Sequence, residues 1–176
     1  MDLKTYTHQD AAAIRGMLLD MQDAVYDGEA DRFRARERFA QFVDMWSSKE
    51  GWSCVIGFDE GEPTGFAYGA PFGAGGWWKG SARPTSVAPE ARVFALSELK
   101  VLKKWRKTGA SEELHRALVL TRDEDVATLL VDVTHPKVVS LYERWGYIKV
   151  GEQKPYEDSP TFAIMAKHLT GRSVSE

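Results

Sequence analysis

The stretch from Arg92 to Leu118 constrains the fold of this chain most strongly. It begins with Val93–Val101, which is rich in apolar residues and free of Gly and Pro, as expected for a strand. A basic turn with one glycine follows, and apolar residues at helical spacing begin near Ser111. A turn of this kind leaves unpaired backbone N–H groups at a helix N-terminus, where they bind anions. The sequence therefore predicts an α/β chain with a phosphate-binding turn.

Two common phosphate-binding patterns are absent from this turn. The P-loop requires GxxxxGK followed by Ser or Thr, and the Rossmann fingerprint requires GxGxxG. The remaining pattern, Arg106-x-x-Gly109-x-Ser111, resembles the R/Q-x-x-G-x-G/A pyrophosphate loop of the GNAT superfamily of acyl-CoA-dependent N-acyltransferases. Ser111 departs from the family pattern, which has Gly or Ala there, but serine is small and can cap a helix.

A second motif resembles the same superfamily. Residues Leu141–Tyr147 read LYERWGY, similar to the L-Y-E-K-x-G-F signature that follows the second CoA-contacting strand. It stands in the right order, after a predicted strand at Ala127–Val133, and the two motifs cover about residues 93–150. The resemblance implies a single GNAT-type α/β domain at residues 1–170. Its mixed central sheet would be splayed at the two central strands and flanked by helices, with a C-terminal tail at 171–176.

The resemblance also implies acetyl-CoA as the cofactor. The family often has Asn at the position of His135, so one contact to the pantetheine arm is expected to differ. The implied cofactor contacts come from the end of the central strand, the turn and this histidine: Leu99, Lys100, Val101, Arg106, Lys107, Thr108, Gly109, Ala110, Ser111 and His135.

Two residues are candidates for the chemistry of direct acyl transfer to an amine. Glu98 is the best-placed carboxylate on the central strand to accept the amine proton. Tyr142 matches the family tyrosine that protonates the leaving thiolate. A backbone N–H near Leu99 would polarise the thioester carbonyl. The alternatives are that Glu98 is an ordinary polar strand residue and that Tyr142 is a core residue of an amphipathic helix.

Two other functions stay open at this stage. A non-catalytic acyl-CoA-binding sensor or interaction module would keep the same fold. A nucleotide-dependent phosphotransferase would use the same anion turn and bind ATP, but the Lys and Mg²⁺-binding pattern is missing. The acceptor is not identified, since a small amine, an amino acid, an antibiotic, a peptide N-terminus and a protein lysine all fit.

Composition limits the partners. The 176 residues carry a net charge of −3, which argues against nucleic acid or an anionic membrane as a partner. The single cysteine, Cys54, allows no intrachain disulfide, and His135 lacks partner ligands at useful spacing for a metal. No signal peptide and no apolar run of about 20 residues is present, so we expect a cytoplasmic protein. Members of the superfamily often dimerise, so the resemblance also implies a homodimer.

Two irregular segments are candidates for contact with the acceptor. The acidic turn Asp27–Asp31 would suit a cationic acceptor, or it is a solvated loop. Residues 71–91 contain four glycines, three prolines and the pair Trp77 and Trp78. This segment is either a flap over the acceptor site or a surface loop held to the body by one tryptophan.

The other expected elements follow from periodicity and turn residues. The strands are 2–6, a hairpin of 52–58 and 64–70 with a turn over Asp59–Pro63, and the pair 148–150 and 161–168. The first helix has Thr7 as its N-cap, with Asp10 completing a capping box, and Ile14, Leu18, Met21 and Val25 on one face. A second helix has Phe39, Phe42, Val43 and Trp46 on one face, and a helix after Pro136 has Val138, Leu141, Tyr142 and Trp145 on one face.

Overall fold

The computed structural model describes residues 1–169, so the predicted tail at 171–176 lies outside the described residues. Within that range the strands are β1 Asp2–Thr7, β2 Ser53–Asp59, β3 Glu62–Pro71, β4 Val93–Val101, β5 Val126–Asp132, β6 Ile148–Gln153 and β7 Phe162–His168. The helices are α1 Ala11–Val25, α2 Arg36–Ser47, α3 Ala110–Leu120 and α4 Pro136–Arg144.

The strands form one seven-stranded sheet in the order β1-β2-β3-β4-β5-β7-β6. The pairs β1–β2, β2–β3, β5–β7 and β6–β7 are antiparallel, whereas β4 and β5 are parallel. The parallel register covers Val93, Phe94 and Ala95, the first three residues of β4. The predicted mixed α/β sheet with flanking helices is confirmed, and the splay of its central strands stays a prediction.

The described chain forms two compact units, and β4 begins in one and ends in the other. The first unit comprises Met1–Ala70 with Leu96–Arg122. Its helix α1 buries the predicted positions Ile14, Leu18, Met21 and Val25. The apolar residues recur every three to four positions, so they form one stripe on the helix. The predicted apolar face of α2 is confirmed as well, since Phe39, Val43 and Trp46 are buried and Phe42 is partly buried.

The hairpin β2–β3 differs from the prediction of a turn over Asp59–Pro63. The chain reverses over Glu60 and Gly61, whose φ angles are 49° and 85°, and Asp59 already pairs with Glu62. Two central residues with positive φ form a tight turn whose twist matches the right-handed twist of the flanking strands. Pro63 lies inside β3, where an irregularity in the register at Gly57 and Phe58 accommodates it.

Among the described residues, the second unit comprises Pro71–Ala95 and Asp123–Leu169. Its segment between β3 and β4 is irregular, as predicted, but well anchored. The indole N–H of Trp78 donates to Thr128 Oγ1 at 3.0 Å. The Arg83 guanidinium donates to the backbone carbonyls of Gly76, Ala88, Pro89 and Ala91. One arginine thus replaces the hydrogen bonds that regular secondary structure would have supplied.

Helix α4 is shorter and more exposed than its sequence pattern suggested. Among the four predicted apolar positions Tyr142 is buried, Leu141 and Trp145 are partly buried, and Val138 is 40% exposed. Gly146, with φ at 92°, follows the helix as predicted, because glycine adopts this left-handed conformation without strain.

Candidate functional site

The predicted anion turn joins β4 to α3 in the first unit. A short 3-10 helix, Lys103–Trp105, follows the strand, and the Thr108 hydroxyl donates to the Trp105 carbonyl at 2.6 Å. Lys107 and Gly109 both have positive φ, at 63° and 89°. Gly109 is the N-cap residue, so α3 begins at Ala110, one residue before the predicted start near Ser111. Residue 109 adopts the left-handed conformation, so it is not part of the right-handed helix and is the residue that precedes it.

This turn has the chemistry of an anion site. The first described bond back into the helix runs from the Glu113 N–H to the Gly109 carbonyl at 3.1 Å. The N–H groups of Ala110, Ser111 and Glu112 therefore precede the intrahelical ladder. Arg106 and Lys107 are exposed beside them, and the helix dipole adds partial positive charge. Backbone N–H groups, the dipole and two cations together suit a diphosphate.

The approach of β3 fixes the position of this turn. A Cβ atom on Gly65 would lie 2.4 Å from the Lys100 carbonyl oxygen and 3.1 Å from Leu114 Cδ1. The Leu102 N–H also donates to the Thr64 carbonyl at 2.9 Å. The end of β4 and the buried Leu114 of α3 are thus held against a strand that has no side chain at this point.

Glu98 and Lys100 lie on the same side of β4, because side chains two residues apart in a strand share a face. The Glu98 carboxylate is 3.3 Å from the Lys100 ammonium, and the two side chains are 19% and 22% exposed. Lys100 Nζ also donates to the Tyr26 hydroxyl at 2.7 Å. The spacing of Glu98 and Lys100 could have indicated their pairing, but Tyr26 is distant in sequence and carried no signal.

The electrostatics of this group are dominated by its burial and its opposite charges. Burial alone lowers the pKa of Lys100, but the charge of Glu98 and the contact with Tyr26 outweigh it, and the pKa is raised above the usual lysine value. The nearby Tyr68 is fully buried, and its burial, followed by the negative charge of Glu98, raises its pKa well above the usual tyrosine value.

A hollow of about 410 Å³ opens in the first unit beside the end of α1. Its lining residues are Asp23, Tyr26, Glu29, Ala30, Asp31, Arg32, Arg34 and Ala35. The Asp31 carboxylate accepts bonds from the Phe33 N–H at 2.9 Å and from Arg34 at 3.1 Å. Part of the acidic turn is therefore already engaged in structural contacts.

The second unit carries Tyr142 and His135. The Tyr142 ring is buried and meets Trp145 and Tyr147 edge-on, at centroid distances of 5.3 and 5.6 Å. His135 is the N-cap residue of α4, is 55% exposed, and lies 3.7 Å from the Asp132 carboxylate. Within residues 1–169 no cluster of three or more His, Cys, Asp and Glu residues could hold a metal ion.

Solved structures share this architecture over nearly their whole length. The aminoglycoside 6'-acetyltransferase type Ii matches with a TM-score of 0.65 and 18% identity, covering 98% of this chain and 100% of its own. The ribosomal-protein-S18-alanine N-acetyltransferase from Escherichia coli matches with a TM-score of 0.64 and 14% identity, over 99% of this chain and 97% of its own. The chain has the GNAT fold.

A third similar structure contains coenzyme A. The PaiA N-acetyltransferase from Thermoplasma acidophilum, solved in complex with coenzyme A, has a TM-score of 0.58 and 11% identity, over 96% of this chain and 100% of its own. No protein-family model and no curated protein sequence matches this GNAT-fold chain. At such low sequence identity, these similar structures establish the fold alone, and the resemblance inferred from the two motifs is confirmed at the level of the fold.

In the described part of the chain, none of the helices is long and apolar enough to span a membrane.

Proposed function

We propose that this protein is an acyl-CoA-dependent N-acyltransferase, most simply one that transfers an acetyl group from acetyl-CoA to an amine. The observation that carries the proposal is the anion turn at the start of α3 within a GNAT fold. Gly109 adopts the left-handed conformation with open space around it, and exposed Arg106 and Lys107 flank the turn. The CoA diphosphate, which is doubly charged and needs several N–H donors, fits this arrangement.

The residues around the turn have distinct proposed roles in cofactor binding. The N–H groups from Gly109 to Ser111 bind the diphosphate, and Arg106, Lys107 and Thr108 surround it. The main chain of Leu99, Lys100 and Val101 aligns the pantetheine arm as an added strand would, and His135 contacts the same arm. The Leu99 N–H donates to the thioester oxygen as negative charge develops there. The cofactor itself supplies the activated acyl group.

Glu98 and Tyr142 are the proposed acid–base pair. Glu98 accepts a proton from the acceptor amine, directly or through a water molecule, and leaves the nitrogen lone pair available for attack. Tyr142 donates its hydroxyl proton to the departing thiolate sulfur, so that the leaving group departs as a neutral thiol. No covalent bond to the protein forms in this direct transfer.

The acceptor is proposed to be a small-molecule or peptide amine. Similar folds carry names that specify aminoglycosides and the alanine of a ribosomal protein, so the fold accommodates both classes. The hollow beside Tyr26 is large enough for part of such a molecule. A cationic acceptor remains our hypothesis for the acidic turn, with Glu29 rather than the engaged Asp31 as the contact. Charge reversal at Glu29 should then raise the KM of a cationic acceptor, and an unchanged KM would refute this.

A cytoplasmic location and a homodimer also remain predictions.

Thermal unfolding with acetyl-CoA, CoA or ATP tests the proposed function. A ligand at about 100 times its Kd stabilises the native state by about 2.7 kcal/mol. We expect acetyl-CoA and CoA to raise the Tm of the wild type but not of Gly109→Glu, whose side chain would fill the turn. The matched control is Gly61→Glu, since Gly61 has a similar φ of 85° and similarly open surroundings in the β2–β3 turn.

Each outcome of this experiment selects one function. Gly61→Glu should lose stability through backbone strain yet keep the full acetyl-CoA response. A wild type that responds to ATP alone would favour the phosphotransferase. Binding of acetyl-CoA without acetyl transfer to any amine in a broad screen would favour the non-catalytic sensor. No response to either CoA form would refute the acyltransferase.

A further inference from the structure

Three polar side chains form a row in the first unit. The Glu98 carboxylate, the Lys100 ammonium and the Tyr26 hydroxyl lie in sequence, with separations of 3.3 Å and 2.7 Å. Lys100 Nζ also lies 5.0 Å from the centroid of the Tyr26 ring. This distance reflects the bond to the hydroxyl, so the ammonium is held by a carboxylate and a hydroxyl at the same time, which a solvated surface lysine is not.

The row joins two parts of the unit that have different proposed roles. Glu98 and Lys100 belong to the central strand, whereas Tyr26 directly follows α1 and lines the hollow of about 410 Å³. A second cation, Arg34, lies 5.1 Å from the Tyr26 ring centroid, and Arg34 also lines the hollow. An acceptor bound in the hollow would touch a residue whose hydroxyl position is fixed by Lys100.

Other groups around the row do not replace Lys100. Tyr68 from β3 and Ser97 from β4 are neutral neighbours, and burial raises the pKa of both Tyr68 and Cys54. Lys103 donates to the Asp27 carbonyl at 3.4 Å and is exposed. Lys100 is thus the cation in direct contact with the Glu98 carboxylate among the described ion pairs.

We propose that Lys100 is a positioning residue, which holds the Glu98 carboxylate in a fixed orientation and ties it to the acceptor side through Tyr26. This inference rests on the proposed acyltransferase function and assigns Lys100 a side-chain role beyond the main-chain contact. The ammonium also opposes a second positive charge nearby, so it favours the neutral, nucleophilic form of an arriving amine. This effect on the amine extends activity toward lower pH.

The first measurement examines the row itself and requires no activity. Lysine labelled with ¹³C at Cε is incorporated, and the Lys100 signal, assigned by its loss in Lys100→Met, is followed by NMR as the pH is raised. We expect Lys100 to titrate above the ordinary lysine range in the wild type. In Glu98→Gln it should titrate at a lower pH than in the wild type, because the carboxylate no longer offsets the effect of burial. Equal titration in both proteins would overturn the proposal.

The second measurement is the pH profile of kcat/KM for acetyl transfer to a probe amine. Spermidine, an aminoglycoside and a peptide with an N-terminal alanine are tried, and the best acceptor of the wild type is used. In Lys100→Met the acidic limb should move to higher pH by about one unit, since the arriving amine is protonated more readily once the neighbouring ammonium is gone. Lys100→Arg retains the charge and should move the limb back toward the wild-type position.

Lys149→Met is the matched control. It also removes a Lys–Glu pair, with Glu152, but these side chains are 45% and 50% exposed and have no proposed role in the site. The acidic limb should therefore stay in place. If the wild type is active and Lys100→Met keeps the wild-type limb, the positioning role is wrong and the proposed function stands. If no probe is acetylated and acetyl-CoA leaves the Tm unchanged, the proposed function and this role fail together.

Discussion

Replacing Gly65 with alanine should disturb the end of the central strand. The new Cβ would lie 2.4 Å from the Lys100 carbonyl oxygen, 3.0 Å from Val101 Cα and 3.1 Å from Leu114 Cδ1. Two of these atoms belong to the backbone of β4, so rotation of a side chain cannot relieve the contact. Either β3 or β4 has to move, and in β3 the residues on both sides of Gly65, Thr64 and Phe66, are buried.

The expected loss can be estimated from two opposing effects. Gly→Ala reduces the entropy of the unfolded chain, which stabilises a protein by about 0.4–1 kcal/mol where the backbone allows it. Overpacking in a dense core costs about 1–3 kcal/mol and occasionally more. We expect the clash to dominate because backbone atoms are involved, with a net loss of about 1–2 kcal/mol. For a chain of this size that lowers the Tm by about 2–8 °C.

Gly16→Ala provides a control with the same chemical change and the opposite sign. Gly16 lies inside α1, and a Cβ there would have no heavy atom within 4 Å. Alanine in a helix interior is favoured over glycine by about 0.5–1 kcal/mol, so the Tm should rise. Differential scanning calorimetry of the three proteins measures both shifts. A Gly65→Ala protein as stable as the wild type would refute the close approach of β3 to β4.

Three further predictions concern single side chains. Tyr142→Phe keeps the ring contacts with Trp145 and Tyr147, so the Tm should change little while kcat falls by about 10²-fold or more, and an unchanged kcat would exclude the acid role. Trp78→Phe should lower the free energy of unfolding by about 1–3 kcal/mol through loss of the bond to Thr128, and a double-mutant cycle with Thr128→Val should show coupling between the two. Burial raises the pKa of the Cys54 thiol, so a thiol reagent should label Cys54 only as fast as the protein unfolds, and rapid labelling of the native protein would contradict its burial.

Elements with local signals could be predicted from the sequence. The strand β4, the basic turn and α3 follow from an apolar run, a lone glycine and helical periodicity, all within about thirty residues. The N–H of Thr7 donates to the Asp10 carboxylate at 2.8 Å, as the capping pattern indicated. These features depend on neighbours in the chain, so the sequence pattern contains the interaction itself.

Features that depend on distant residues were not predictable in the same way. Tyr26 and Lys100 are 74 residues apart, and their contact depends on where α1 ends relative to β4. The predicted turn extended to Pro63, because proline commonly marks a turn. In the structure the chain reverses over Glu60 and Gly61 alone, and Pro63 lies inside β3. Val138 fits the helical stripe of α4, yet no packed neighbour covers it fully, and it stays 40% exposed.

The geometry of the turn explains why serine can replace the Gly or Ala of the GNAT pattern at position 111. Gly109 meets the conformational demand, because its φ of 89° is strained for any residue with a side chain. Ala110 meets the packing demand, since its methyl group is buried at 4% exposure. Residue 111 then lies in the first turn of α3, where its N–H is among the unpaired donors and its side chain is partly exposed. A serine there adds one small hydroxyl and leaves the N–H groups accessible, so the substitution is compatible with an anion at this helix end.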